Sequence, residues 1–590
     1  MKKYILFLWI IAGMCSCNDL LELQNDGRIS MDEIFTTYNG VRGYLSACYG
    51  YRIYPSYDRS SLCDDAHDSD GTYANSLFSF WYGNAFSSSF FFSTDFGIKA
   101  DTTAWTNYFQ GIRKCNVFLE NMAKIDASAF ATSKGEPVGW VAQAKTLRAF
   151  YYLQLIKRYG SVPLITEQYS MAHDYSADQK SSFSEIVTQI LKDCDEALAT
   201  PDIEGGFSWE VRTGQSGIMT RAVAYAIKSE AVTYAASPYW SDGVFTWADA
   251  TRINAEALYQ CTTHGYTLWT AEPAPDVAQN AYAFYFITRP DELRATDKET
   301  IYGNAVVNVW QSSGMPSTAG QIKAGSCPTQ ELVDSYEMAN GQMPVLGYAD
   351  RQHLNPIINT ASGYDANNPY VNRDPRFYAS IYYNGAARTL SAPLSQVETF
   401  IGAVDGISTA DRRTTHTGYY LRKYNNWKSN RDNNADGAVR IFRVAELYLN
   451  FAESACYSHG PDVAVQLGGS VSMSAREAVS KIRERAGMPP FPTGMSAADF
   501  EKKYRNERRI ELAFEEHRFF DVRRWKILEE TERYVTGMRI TQENGNLIYT
   551  RTGFERGSWV DKYYLYPIPQ SEVNKMQDHT GTNWQNPGWN

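Results

Sequence analysis

The strongest constraint on the fold is a series of stripes in which small and apolar residues recur at helical spacing. Trp140, Ala144, Leu147 and Tyr151 lie three or four residues apart, so they share one face of a helix that we place at 138–158. The same spacing predicts helices at 105–125, 182–198, 218–236, 247–261, 442–456, 474–486 and 498–530. Small residues at the points where helices cross favour close packing. We therefore expect a mostly α-helical protein built from tetratricopeptide-like helix hairpins.

The helical pattern stops between about 265 and 435. Gly, Pro, Asn and Tyr are frequent there, and short strand-like runs occur, such as 300–310 (TIYGNAVVNVW). The segment is too rich in aromatic residues to be a linker, so we expect a loop-rich, ligand-binding insertion that contains short strands and packs on the helices. The sequence therefore predicts a single domain over 31–590, with helix hairpins at about 31–263 and 440–530.

The first residues resemble a bacterial lipoprotein signal. Two lysines precede the apolar run 4–11 (YILFLWII), which is too short to span a bilayer. Small residues follow, and we expect cleavage before Cys17 and lipidation of its thiol, with Cys15 as the weaker candidate. Residues 1–16 would then be a signal peptide, and 17–30 a lipidated tether that anchors the protein in the membrane.

Composition and motifs exclude several classes of function. The chain has 56 Lys+Arg and 66 Asp+Glu, for a net charge of −10, and it has no basic run, which argues against a nucleic-acid partner. Seven cysteines remain after Cys17, at wide spacing and with no CxxC pair, so we expect buried thiols rather than a zinc site. The chain has neither a Gly-x-Ser-x-Gly elbow nor a His-Glu-x-x-His motif, so nucleophilic and zinc-dependent hydrolysis have no support.

Several segments resemble the SusD/RagB family in both order and spacing. In the C-terminal half they are 440–450 (RIFRVAELYLN), 481–487 (KIRERAG), 505–526 (RNERRIELAFEEHRFFDVRRWK), 565–570 (LYPIPQ) and 585–589 (QNPGW). Further matches are 144–165 (AKTLRAFYYLQLIKRYGSVPLI), 329–341 (TQELVDSYEMANG) and 374–376 (DPR). Each motif alone is weak, but together they cover nearly the whole mature chain.

The resemblance implies a SusD-like fold and a role without catalytic activity. Members of the family are surface lipoproteins of the outer membrane that bind glycans, or in some cases peptides, and sit as a lid on a SusC-like TonB-dependent transporter. We therefore expect a protein that captures oligosaccharides and delivers them to such a transporter. The alternatives are an oligopeptide-binding member of the family, a secreted glycoside hydrolase and, with less support, a bare tetratricopeptide scaffold.

Ligand contacts are expected on loops where exposed aromatic rings lie beside polar side chains. Sugar rings stack on Trp and Tyr, and their hydroxyls bind the planar polar groups of Asp, Asn, Gln and Arg. The best match is 64–92 (DDAHDSDGTYANSLFSFWYGNAFSSSFFF), although a local apolar cluster would also explain its aromatic residues. The candidate ligand-binding residues are Asp65, Tyr73, Asn75, Trp81, Tyr82, Asn84, Tyr285 and Trp310.

A glycosidase would need two carboxyl groups, one of which has a raised pKa. Glu507 and Glu511 lie one helical turn apart, in the part of the sequence where charged residues are most dense. They are the best candidates for such a pair. Many arginines surround them in the sequence, and nearby positive charge favours the ionised form of a carboxyl group. We therefore expect a charged network that ties the last helices together.

One pattern indicates a metal ion. Asp432, Asn434 and Asp436, followed by Gly437, match the first half of an EF-hand calcium loop, in which hard oxygen ligands alternate along the chain. The twelfth position holds Arg443 in place of the bidentate Glu, and an Asx-rich surface turn is the simpler interpretation. A weaker match is 68–71 (DSDG). Structural calcium is the only cofactor that the sequence suggests.

Overall fold

The computed structural model describes residues 30–70, 103–210, 217–288, 297–303, 305–388, 395–433, 437–557 and 561–589. Its helices are α1 (Met31–Ile34), α2 (Tyr38–Cys48), α3 (Ala104–Met122), α4 (Glu136–Tyr159), α5 (Phe183–Leu198), α6 (Arg221–Ala236), α7 (Trp247–Thr263), α8 (Ala281–Ile287), α9 (Val309–Ser312), α10 (Gln330–Ser335), α11 (Pro375–Ser380), α12 (Val444–His459), α13 (Ala475–Arg485), α14 (Ala497–Glu511), α15 (His517–Arg524), α16 (Leu528–Glu532) and α17 (Gln570–Thr580). Its strands are β1 (Ala66–Asp68), β2 (Thr300–Tyr302), β3 (Ala305–Val307), β4 (Ser326–Pro328), β5 (Val345–Tyr348), β6 (Pro356–Ile358), β7 (Ile381–Tyr382), β8 (Tyr420–Leu421), β9 (Gly437–Val439), β10 (Phe442–Arg443), β11 (Val465–Gly468), β12 (Val471–Met473), β13 (Tyr534–Glu543) and β14 (Asn546–Glu555).

The long helices pack against their neighbours in the chain. α3 contacts α4, α4 contacts α5, α5 contacts α6 and α6 contacts α7, while α7 also packs on α12 far along the sequence. The predicted stripe on α4 is buried throughout in the main core, because the small residues let the neighbouring helices approach closely. The helices predicted between 105 and 486 are therefore confirmed.

Two of the helix starts follow from capping boxes that the sequence carries. Ser182 accepts a hydrogen bond from the backbone N–H of Glu185, whose carboxylate accepts one in return at the start of α5. Ser474 and Glu477 make the same pair of bonds at the start of α13. Both caps satisfy backbone donors that the first turn of a helix leaves free.

The single helical stretch predicted at 498–530 is wrong, because the structure divides it into α14, α15 and α16. Phe514 and Glu516 between the first two, and Lys526 before the third, have φ of 61°, 70° and 60°, which a right-handed helix does not allow. The left-handed turn places the carboxylate of Glu516 where it accepts hydrogen bonds from Ser56 N (2.6 Å) and Arg59 Nε (2.9 Å). This tertiary contact outweighs the local helical preference.

The strands of the described chain form seven two-stranded antiparallel pairs. One of these pairs, β1 with β4, joins the stretch between α7 and α12 to the N-terminal segment, whereas β2 with β10 and β3 with β9 pair strands within that stretch. A second core cluster runs through this region and draws residues from Tyr57 to Ile540. The strand-bearing stretch therefore shares its interior with both the N-terminal and the C-terminal segments.

The seven cysteines of the described chain are all free and buried. This confirms the expectation of buried thiols, which pack as small apolar side chains. In the part of the chain that the structure describes, no helix is both long and apolar enough to cross a membrane.

Candidate ligand-binding face

Most of the predicted ligand-binding residues lie outside the described residues. Tyr73, Asn75, Trp81, Tyr82 and Asn84 all fall between Asp70, where the description of the chain stops after β1, and Thr103, where it resumes before α3. The structure therefore describes the residues at the two ends of this segment, Asp70 and Thr103, together with the side chains around them.

The departure point is a buried cluster of charged side chains. Asp68 Oδ2 lies 3.6 Å from Lys323 Nζ, and Asp70 Oδ2 lies 3.8 Å from Arg412 Nη1. Asp58 accepts a hydrogen bond of 3.0 Å from Ser326 on β4. Burial raises the pKa of Asp58 to about 6, so its carboxyl is mostly ionised at neutral pH. One lysine, Lys323, and one arginine, Arg412, thus balance most of the negative charge of the three aspartates where the segment begins.

Two histidines border this cluster and carry no charge at neutral pH. His67 stacks on Phe554 with ring centroids 4.3 Å apart, and its ring centroid lies 5.7 Å from that of His416. Burial lowers the pKa of His416 to about 4 and holds the pKa of His67 well below its ordinary value. The cluster where the segment begins therefore contains neutral imidazoles beside its ion pairs.

Asp65 is a predicted ligand-binding residue that the structure places in the interior. Its side chain is buried, and its carboxylate accepts a hydrogen bond of 2.7 Å from Arg509 Nε. The neighbouring Asp64 holds Arg518 through two bonds of 2.8 Å. Burial alone would raise the pKa of Asp64, but the guanidiniums of Arg509 and Arg518 outweigh burial and hold the pKa below its usual range. This pair of aspartates fixes the base of the segment to α14 and α15.

Tyr285 is fully buried in α8. Its hydroxyl shares a hydrogen bond of 2.9 Å with Thr300, and the guanidinium of Arg440 lies 3.8 Å from its ring centroid. Burial and these two partners give the ring a structural position in the second core.

Trp310 lies in the short helix α9 rather than in the loop that the sequence predicts, and 7% of its surface is exposed. Ser312, at the end of the same helix, hydrogen-bonds the hydroxyl of Tyr57. All three described candidates, Asp65, Tyr285 and Trp310, are therefore buried side chains, and ligand contact by any of them stays a prediction.

Only part of the predicted calcium loop is described. Asp432 is exposed, and Asn430 Oδ1 accepts hydrogen bonds from the backbone N–H groups of residues 432 and 433, as in an Asx turn. Asn434 and Asp436 lie outside the described residues. Within the described chain, one group of three side chains has the spacing of a metal site, Cys63, Asp64 and Asp65. Because Arg509 and Arg518 already hold both carboxylates, we assign this group to ion pairing.

The expected charged network around Glu507 and Glu511 is present and buried. Glu507 bonds Arg376 and Arg483, each at 2.6 Å, and Glu511 bonds Arg443 at 2.7 Å and Arg376 at 3.0 Å. Burial alone would raise the pKa of both carboxyl groups, but these guanidiniums lower it below the usual range. Neither carboxyl holds the proton that a general acid would need.

Sequence reasoning missed the partners of this network that come from the strand-bearing stretch. Glu299 bonds Arg443 at 2.7 Å, and Glu337 bonds Arg483 at 2.7 Å. Buried carboxylates so far from the arginines in sequence leave no local pattern. Two motifs gave a signal: 374–376 contains Arg376, at the centre of the network, and 329–341 contains Glu337.

The family of the chain is decided by a match over more than half of its length. The model of the SusD family matches residues 292–589. The chain belongs to the SusD family. A second family model, described as "Starch-binding associating with outer membrane", matches residues 45–202 of this SusD-family chain. A search of the curated proteins finds no match.

Solved structures agree with this assignment. A SusD-like protein from Bacteroides fragilis is 25% identical, with a TM-score of 0.72 over 95% of this chain and 98% of that one. A structure described as a laminarin binding SusD-like protein is 18% identical, with a TM-score of 0.57 over 94% of this chain and 99% of that one. Surface glycan-binding protein A from Bacteroides fluxus is 19% identical, with a TM-score of 0.57 over 94% and 99%. The mostly helical SusD-like fold that the sequence predicts is therefore confirmed.

Proposed function

We propose that this SusD-family protein is a lipid-anchored, glycan-binding protein of the cell surface, which captures oligosaccharides and delivers them to a SusC-like TonB-dependent transporter of the outer membrane. The observation that carries the proposal is the family match, together with the match to starch-binding proteins that associate with the outer membrane. Relatives described as laminarin-binding and as surface glycan-binding support a carbohydrate ligand.

The proposed ligand contacts lie on the segment that follows Asp70 in the sequence. Trp81 and Tyr82 would stack on sugar rings, and Tyr73, Asn75 and Asn84 would bind their hydroxyls. Trp81→Ala should weaken binding by about five- to 150-fold, because a lost ring contact of this size is worth roughly 1–3 kcal/mol.

Affinity electrophoresis in gels that contain the polysaccharide ligand measures this loss directly. Trp247→Ala is the matched control, because Trp247 is a half-buried tryptophan that stacks on Tyr457 in the helical part of the chain. Trp310→Ala is compared in parallel after circular dichroism has checked its fold, since that ring is buried. If Trp81→Ala and Trp310→Ala both bind as the parent does, the proposed contacts are wrong.

A binding role without catalysis is supported by the charged network. Glu507 and Glu511 are ionised and fully engaged with arginines, so this pair does not provide the acid and base of a glycosidase. Release of reducing ends by the pure protein would contradict the proposal. Saturable binding of oligopeptides in place of glycans would favour the peptide-binding branch of the family.

Membrane attachment is proposed to run through Cys17. Growth with a labelled fatty acid should label the protein, and Cys17→Ser should abolish the label and release the protein from the membrane fraction. Cys15→Ser is the control and should keep both. Loss of the label in Cys15→Ser alone would move the anchor to that residue.

A calcium ion at Asp432, Asn434 and Asp436 stays a proposal. The exposed Asp432 is free to turn toward an ion, because its partner Arg431, at 3.5 Å, is itself exposed. Chelation should then lower the melting temperature of the parent but not that of Asp432→Ala. An equal melting temperature with and without chelator would contradict a calcium site.

A further inference from the structure

A cleft lies beside α3 in the helical part of the chain. It has a volume of about 520 Å³ and is bounded by α3, by the chain between Pro163 and Asp178, and by α17. Neither Tyr285 nor Trp310 lines it. Its volume is within the range of about 300–1,000 Å³ that is typical of small-molecule sites.

One wall of the cleft is aromatic. Tyr169 stacks on His173 with ring centroids 3.6 Å apart, and Tyr175 meets the His173 ring edge-on at 4.7 Å. Phe109 packs on the buried Trp105, with ring centroids 4.8 Å apart. Tyr169, Tyr175 and Phe109 each keep part of their surface exposed. Partly exposed rings that are braced by other rings form a firm apolar platform.

The rim of the cleft is polar and is built from planar groups. Gln110, Arg113 and Gln168 are exposed, and within the described chain the side chains of Gln110 and Arg113 have no hydrogen-bond partner. Asp178 accepts a hydrogen bond of 3.0 Å from His173 on the same side. Amide, guanidinium and carboxylate groups provide donors and acceptors in the paired geometry that vicinal hydroxyls match.

Buried side chains hold the aromatic wall in place. Asn116, which is fully buried, donates to the carbonyls of Ile165 and Glu167 at 3.1 and 3.0 Å. Arg148 donates to the carbonyl of Thr166 at 2.9 Å. The segment that presents Tyr169 is therefore fixed before any ligand arrives, which reduces the entropy cost of binding.

We propose that this cleft is a second oligosaccharide-binding site, distinct from the site on the segment that contains Trp81. The proposal rests on the proposed function and extends it, because two sites on one chain would hold a polysaccharide at two points and raise its apparent affinity. An aromatic wall with a planar polar rim fits sugar rings, which have one apolar face and hydroxyls at the edge. The fully exposed Met171 at the mouth of the cleft extends the apolar surface along which a chain of sugars would run.

Calorimetric titration of the full mature chain tests the proposal, with oligosaccharides from the polysaccharide class that the parent binds as the probe. The parent should show two binding events. Tyr175→Ala and Arg113→Ala should each weaken one event by about two- to tenfold, as expected for one lost ring or one charge-assisted bond, and leave the other unchanged. Tyr175→Phe, which keeps the ring, and Arg252→Ala, on exposed α7 surface, are the controls and should bind as the parent does.

Oxidation of methionine locates the second event without a substitution. Saturating oligosaccharide should slow the conversion of Met171 to its sulfoxide by dilute peroxide, as measured by mass spectrometry, and leave Met31, exposed on α1, unaffected. A single binding event that neither variant changes, together with unprotected Met171, would overturn the second site and leave the proposed function intact. Absence of any glycan binding would overturn both.

Discussion

Single buried charges decide much of the stability of this protein. Arg376 has no exposed surface, and its guanidinium bonds Asp374 at 2.8 Å, Glu507 at 2.6 Å and Glu511 at 3.0 Å. A buried pair gains little over apolar packing, but removal of one partner leaves a charge in a medium that solvates it poorly. Each member of the network is therefore far more costly to lose than its pairwise attraction suggests.

Glu511→Gln should lower the free energy of unfolding by about 3–5 kcal/mol. It removes the charge that faces Arg376, Arg443 and Arg485 at once. Urea denaturation followed by circular dichroism measures the change. Glu530→Gln is the control, because Glu530 is exposed, and it should shift the free energy by less than about 0.5 kcal/mol. Equal stability of both variants would contradict the role given to the network.

Removal of the charge of Glu446 should stabilise the protein, in contrast to removal of the charge of Glu511. Its side chain is buried, its carboxyl lies 4.0 Å from His517 Nδ1, and burial followed by the charge of Glu230 raises its pKa to about 8. The folded protein therefore binds this proton more tightly than the unfolded chain does. The associated stability is present below about pH 4.5 and is lost as the pH rises toward 8.

Glu446→Gln mimics the protonated form at every pH. It should raise the free energy of unfolding at pH 8 by about 1 kcal/mol or more relative to the parent, and by less at pH 5. Thermal melts at the two pH values measure this difference. A variant that is destabilised equally at both pH values would show that the carboxyl is ionised in the folded protein.

At the scale of elements, the local pattern predicts most helices but not where a tertiary contact interrupts one. The residues of a capping box lie within a few positions of each other in the sequence, and so do those of an apolar stripe. The helices α5 and α13 can therefore be predicted from the sequence. The break between α14 and α15 depends on Arg59, which is 457 residues away from its partner Glu516. No local pattern in the sequence predicts this break. The same holds for the site: the aromatic residues of 64–92 can be proposed from composition, whereas the burial of Asp65 by Arg509 cannot.

Close helix packing gives a test at this scale. A Cβ on Gly111 of α3 would lie 2.5 Å from the buried ring of Tyr151 on α4, whereas a Cβ on Gly43 of α2 would meet nothing within 4 Å. Gly111→Ala should therefore destabilise the protein by about 1–3 kcal/mol, despite the better helix propensity of alanine. Gly43→Ala, the matched control, should stabilise it by about 0.4–1 kcal/mol. Denaturant melts compare the two, and stabilisation by both would contradict the close approach of α3 and α4.

At the scale of the whole molecule, the parts are joined by pairings that bridge distant segments. β1 near the N-terminus pairs with β4, and β2 pairs with β10 immediately before α12. The buried arginine network adds contacts between α11, α13 and α14. These contacts hold segments that are distant in the sequence together in the fold.

Whether the protein binds glycans without cleaving them is measured by calorimetric titration of residues 18–590 against a panel of polysaccharides, with reducing ends measured in the same samples. We expect saturable binding to one polysaccharide class, with no change in reducing ends. Binding to none of the panel, or a rise in reducing ends with the pure protein, would contradict it.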